Sequence, residues 1–148
     1  MGMPLSMPLS IPNQGNAQAD APLLGAWISA CQPPPPNSPY AYRIRVTFSP
    51  SMVSETVGYF SQPGCPKGQL VSLPRVYQAQ YAFDSQSTAP PGGFAIDFSG
   101  PVGGLQPFDI VIVTNGQLML GDTTGANNGS VPNLRPQTFY SAVPFTRE

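Results

Sequence analysis

Apolar and polar positions alternate along most of this chain and divide it into short extended segments. Residues Tyr40–Phe48 read YAYRIRVTF, with Tyr40, Tyr42, Ile44, Val46 and Phe48 on one parity and Arg43, Arg45 and Thr47 on the other. A period of two belongs to a strand with one buried and one solvated face. Arg75–Phe83 repeats the pattern through Tyr77, Ala79, Tyr81 and Phe83. Further strands are predicted at Leu23–Ala30, Met52–Ser61, Gln69–Leu73, Phe94–Phe98, Phe108–Val113, Gln117–Leu120 and Thr138–Val143. Between two of them stands Thr114-Asn115-Gly116. Asn-Gly between apolar runs predicts a type I′ hairpin, which needs positive φ at both central residues. Gln32–Pro39, with four consecutive prolines, form a stiff extended loop, and Gly121–Asn133 a polar one. No segment has helical periodicity. About eight short strands, spaced roughly ten residues apart, predict an all-β fold, a small antiparallel β-barrel or sandwich.

Ahead of this body lies a different pattern. Residues 1–22 form an extended, Pro-rich N-terminal arm, and residues 23–148 form the β domain. In the arm Met3, Leu5, Met7, Leu9 and Ile11 occupy alternate positions, with Pro4, Ser6, Pro8, Ser10 and Pro12 between them or beside them. The prolines forbid a helix and remove ladder donors, so the arm suits a sheet edge or a groove. Three readings compete. Ala17-Gln18-Ala19 before Asp20 has the form of a signal cleavage site, but no Lys or Arg precedes it. The arm otherwise packs on its own barrel, or acts as a donor strand added to a neighbouring subunit.

Composition narrows the classes of function. Charged residues are 9% of the 148, against about 25% in typical soluble domains. The six Lys and Arg supply no basic patch for phosphates, which excludes nucleic acid as partner. The absence of His removes His-based catalysis and His metal ligation. No apolar run of about 20 residues exists, so no transmembrane helix is expected. Twenty prolines and 15 glycines approach a low-complexity composition, yet eight Phe and six Tyr argue for an ordered, turn-rich β domain. Low charge also suits a surface covered by neighbours. The deficit is strongest in the first 42 residues, where Asp20 is the one charge.

Cys31 and Cys65 stand 34 residues apart without other Cys or His. Two readings remain, a disulfide or two buried thiols, and the turn-rich β pattern favours the disulfide. It would tie the end of the first strand to the turn after the third. Asp97 and Asp109 each interrupt an apolar strand. Facing inward together they would form an acid–base dyad with shifted pKa values; facing outward they would meet solvent or arginines. The Gly121–Asn133 loop resembles an oxygen-rich calcium loop, with Asp122, Asn127 and Asn128 as candidate ligands. It lacks the several carboxylates and bidentate Glu of a tight site, and Asx-turns are the commoner meaning. Asn128-Gly129-Ser130 fits a glycosylation sequon. No phosphate loop or nucleophile elbow is present, and no catalytic residue or cofactor is assigned.

Leu24-Gly25-Ala26-Trp27, with Cys31 four residues later, resembles the Gly-x-Trp opening of lipocalin-like (calycin) barrels. The chain is also similar to small bacterial secreted or lipoprotein domains. These open with Leu-x-Gly-Thr-Trp and a Cys four residues on, and carry a second Cys after a Tyr-containing strand, here Tyr59 and Cys65. Phe108-Asp109-Ile110-Val111, Gly116 to Asp122, Arg135-Pro136-Gln137-Thr138 and Phe145-Thr146-Arg147 continue the likeness. Ala26 for Thr, Phe108 for Tyr and the inserted Gln137 depart from it. It covers about residue 23 to the end and leaves the arm outside. The resemblance implies an exported small barrel, extracellular or at the cell surface, and no activity. It also implies that Trp27 closes one barrel end against an arginine, Arg135 or Arg147; plain core packing is the alternative.

Two functions are therefore expected. One is a non-enzymatic extracellular structural subunit, a homo-oligomer or filament joined through the arm, with Met3, Leu5, Met7, Leu9 and Ile11 as anchors. The other is a lipocalin-like binding protein for a small apolar ligand. An enzyme using Asp97 or Asp109 is the third class.

Overall fold

A computed structural model describes residues 22–71, 75–99 and 105–148. The chain forms an eight-stranded closed antiparallel barrel in simple meander order. The strands are β1 (Gly25–Ser29), β2 (Ala41–Ser49), β3 (Met52–Phe60), β4 (Arg75–Phe83), β5 (Phe94–Ser99), β6 (Phe108–Thr114), β7 (Gln117–Leu120) and β8 (Phe145–Arg147). Each strand pairs with its sequence neighbour, and β8 returns to β1 through Trp27↔Arg147 and Ser29↔Phe145. Closure is how such a sheet avoids free edges. The all-β expectation is met, and the barrel alternative is the one adopted.

The predicted alternation sets the faces. Val46, Phe48, Val53, Ala79, Tyr81, Ile96, Phe98, Val111, Leu118 and Phe145 are buried and form the interior with Trp27 and Leu23. Rings stack edge to face through this interior, Phe48 on Tyr81 at 5.2 Å and Tyr81 on Phe83 at 5.9 Å between centroids. The Tyr81 hydroxyl donates to the Ser49 carbonyl at 2.9 Å, so the phenol keeps a partner while its ring is buried. Asn115 and Gly116 both have positive φ, 53° and 75°, as the predicted hairpin requires.

One strand expectation fails, and another lies partly outside the described residues. Of the Gln69–Leu73 stretch, residues 69–71 follow a 3-10 turn at Lys67–Gln69 and hold a single bridge, Phe60↔Leu70, while Ser72 and Leu73 lie outside the described residues. Thr138–Val143 contributes only the bridge Gly121↔Phe139, and the eighth strand is Phe145–Arg147. Residues 121–144 instead leave the barrel and lie along the outer side of β5 and β6. Asp122 N–H donates to Thr138 O, Phe108 N–H to Gly129 O, and Gly129 N–H to Leu134 O. Beneath this strap, Ala95 and Ile110, paired on the outward face, are buried at 4% and 0% exposure.

Candidate functional site

Cys31 and Cys65 are joined in a disulfide with a Cα–Cα distance of 5.7 Å. It binds the loop after β1 to the loop after β3, as expected. That crosslink fixes Cys65 beside an outer groove of about 260 Å3. The groove crosses the outward faces of β1, β2 and β3 and is lined by Ile28, Arg43, Arg45, Thr56, Gly58, Phe60, Cys65, Lys67 and Leu70. Its floor follows from register: Ile28 stands opposite Arg45, Arg45 opposite Thr56, and Arg43 opposite Gly58. Gly58 lacks a side chain there, and the Phe60 ring and Leu70 methyl lie 3.3 and 3.5 Å from where a Cβ would be. A glycine inside a strand marks such a close approach.

Three of the six cations of the chain line this groove. Arg45 is engaged by Glu148, with Nε to Oε1 at 2.6 Å, in an exposed pair. Arg43 and Lys67 form no ion pair among the described residues. The Nε of Arg43 is buried and has no hydrogen-bond acceptor among the described residues. A buried donor without an acceptor costs about 1–3 kcal/mol. The groove therefore joins apolar walls to donors in excess of acceptors. Alternation placed Arg43 and Arg45 on the solvated face, whereas Phe60, Leu70 and Lys67 come together only through the loop that the disulfide holds.

A second depression, of about 610 Å3, lies between the β4–β5 loop and the strap. Its lining is polar or Pro-rich, and Arg135 forms its inner wall. Arg135 is 7% exposed. Its Nη1 donates to Ile96 O at 3.2 Å and Asp109 O at 2.8 Å, and its Nη2 to Asp97 at 2.7 Å and Asp84 at 3.3 Å. The guanidinium also sits 5.6 Å from the Phe108 ring centroid. This corrects the expectation that Arg135 is an alternative partner of Trp27. Arg135 belongs to the strap and is drawn to carbonyls and carboxylates at the outer side of β5 and β6, away from the indole. Trp27 is covered by Arg147 instead, at 4.2 Å from the ring centroid.

Asp97 and Asp109 do not form a dyad. They belong to opposite faces, since Asp97 pairs with Phe108 and Asp109 with Ile96 in the β5–β6 register. Asp97 is held by the Arg135 side chain. Asp109 Oδ1 accepts the N–H groups of Ile110 and Gly121, at 2.8 and 3.0 Å. Burial pushes the Asp109 carboxyl up to about 6, against the pull of those N–H groups and of Arg135. Asp84 lies below the usual carboxylate range, chiefly because the Ser87 hydroxyl and the Gln86 N–H donate to it.

Two of the three calcium candidates cap local turns. Asp122 accepts from Thr124 N–H and hydroxyl, and Asn128 from Ser130 N–H and hydroxyl. These are two separate Asx-type turns, and Asn127 is in neither. Among the described residues no three Asp, Glu, Cys or His side chains cluster for a metal. No described helix is long and apolar enough to cross a membrane. Met3, Leu5, Met7, Leu9 and Ile11 lie outside the described residues.

Compared with protein-family models, curated proteins and solved structures, the chain matches none.

Proposed function

We propose that this protein is a non-enzymatic, exported structural subunit that assembles through its N-terminal arm. One observation carries the reading. Toward one end of the barrel the inward positions are already filled by the chain's own large side chains, among them Trp27, Phe48, Ile96 and Leu118, all at 2% exposure or less. The five apolar side chains of the arm have no place in that interior. Each contributes about 1.5–3 kcal/mol if fully buried, so the arm is stabilised by an external surface that covers it. Export accords with the Cys31–Cys65 disulfide, a bond that persists in oxidising compartments. The test is the native mass of the full chain beside a variant lacking residues 1–20. Assembly of the full chain and a single-chain mass for the truncation support the reading; equal assembly of both overturns it.

The alternative is a lipocalin-like carrier of a small apolar ligand. Its support is the other end of the barrel, where Tyr42, Val57, Tyr59 and Tyr77 continue the inward faces but are only partly buried, with Tyr59 at 37% exposure. Tyr42 and Tyr59 are 6.4 Å apart between centroids. Saturable binding of an apolar fluorophore that Tyr59→Lys abolishes supports this function, and binding unaffected by that change removes it.

A further inference from the structure

The arm and the outer groove have complementary needs, and we infer that the groove on β1, β2 and β3 is the seat of the N-terminal arm of a neighbouring copy. The inference rests on the assembly reading above and names the surface that reading lacks. Strand addition, the other way to capture an extended segment, needs an open sheet edge. Here every strand has a neighbour on both sides over at least part of its length, so no whole strand stands at an edge. A proline-rich segment does not need an edge. Pro4, Pro8 and Pro12 have no N–H, so the arm carries more carbonyl acceptors than donors. In extended or polyproline form those carbonyls make no internal bonds.

The groove offers the opposite balance. Arg43 presents a buried Nε without an acceptor, and Lys67 has no ion pair among the described residues. The Lys67 ammonium can donate to arm carbonyls, whereas the Arg43 Nε is already enclosed by the chain. Ile28, Phe60 and Leu70 provide apolar contact between them, and Leu70 is 38% exposed. Gly58 lets the Phe60 ring and the Leu70 side chain close down on the sheet and form the apolar floor of the groove. The space of about 260 Å3 holds side chains of the Met and Leu type that alternate along the arm.

Geometry permits a neighbouring chain as donor. Residues 12–21 join the apolar part of the arm to Pro22, and at about 3.1 Å per residue in polyproline form they span roughly 30 Å. That length reaches past the edge of one small barrel. One arm and one groove per chain make a head-to-tail contact, which closes into a ring or extends as a filament.

The experiment compares native mass, by light scattering, for the full chain, the variant lacking residues 1–20, and two groove variants, Leu70→Asp and Thr56→Trp. Thr56 and Leu70 point outward, and circular dichroism confirms that each variant folds. Assembly lost in both groove variants, together with a one-to-one complex when the truncated chain is mixed with Leu70→Asp, supports the inference. In that mixture the truncated chain supplies the intact groove and the Leu70→Asp chain the intact arm. A synthetic peptide of residues 1–12 should bind the truncated chain, and Leu70→Asp in that background should weaken it by about tenfold or more. Groove variants that assemble like the full chain overturn the groove; an unchanged truncated chain overturns the assembly reading itself. A monomeric full chain that excludes the peptide, beside a truncated chain that binds it, shows each arm on its own groove and overturns the neighbouring-copy assignment.

Discussion

The guanidinium of Arg147 lies over the Trp27 ring, 4.2 Å from its centroid, and occupies the space where a side chain on Gly25 would stand. It also donates to the carbonyls of Leu24 and Pro22. The indole N–H in turn donates to Leu23 O at 2.8 Å. One arginine from the last strand thus ties the first strand and the segment before it into a plug. The Gly-x-Trp spacing has a physical cause here: φ at Gly25 is +114°, and its missing Cβ leaves room for Nη1 at 2.8 Å.

Gly25→Ala is expected to destabilise the barrel by about 1–3 kcal/mol through backbone strain alone. Arg147→Ala removes the cation–π contact and two carbonyl partners. Because the alanine methyl displaces the same guanidinium, the double variant should cost less than the sum of the single ones. Chemical denaturation of the three variants checks this; strict additivity would show that Gly25 and Arg147 act independently.

Removing the disulfide, by Cys31→Ser with Cys65→Ser or by reduction, should lower stability by about 3–4 kcal/mol, from the entropy of a loop closed over 34 residues. The groove is predicted to loosen with it, since Cys65 and Lys67 stand on the freed loop. Denaturation midpoints with and without reductant, and hydrogen exchange over residues 61–71, measure both effects.

Arg135→Met should cost about 3–5 kcal/mol, because it leaves Asp97, Asp84 and two buried carbonyls without their common donor. Arg135→Lys should rescue little, since one ammonium cannot serve acceptors arranged around a planar fork. The strap should become the first site of proteolysis. Thermal unfolding and limited digestion, with cleavage mapped to residues 121–144, are the readouts.

Asp109 gives a pH dependence with a definite sign. Its folded pKa, about 6, lies above the unfolded value near 3.8, so the native state binds the proton more tightly. The stabilisation is complete below the unfolded value and is lost as pH rises through about 6, a change of about 3 kcal/mol. Asp109→Asn keeps an oxygen acceptor for Ile110 and Gly121 and should abolish this slope. Asp84, with its lowered pKa, acts in the opposite direction and below about pH 4, outside that window. Urea midpoints from pH 4 to 7.5 for both proteins decide it; parallel curves would remove Asp109 as the cause.

Much of the fold is legible in local pattern. Alternation in Tyr40–Phe48 and Arg75–Phe83 located two strands and their inner faces, and Asn115-Gly116 located a hairpin. The groove was only half legible. Arg43 and Arg45 read as outward, but Leu70 and Lys67, which join Phe60 at the end of β3, lie on a loop that the disulfide ties down. The strap was misread as a strand at Thr138–Val143 because its apolar residues, Phe139 among them, pack on the outside of the barrel: the Phe139 ring lies 2.5 Å from where a Cβ on Gly93 would be. Apolar pattern reports burial and does not say which side of a sheet provides it.

By itself the sequence determined the all-β class, the period-two faces, the turn at Asn115 and the exclusion of His chemistry, because each depends on neighbours in the chain. Only the tertiary structure decided that the sheet closes, that Arg147 rather than Arg135 covers Trp27, that Asp97 and Asp109 face apart, and that the Arg43 Nε is buried without an acceptor among the described residues. Those are contacts across long separations. They are set by strand register and by which carbonyls and carboxylates compete for each guanidinium, and no local spacing carries that information.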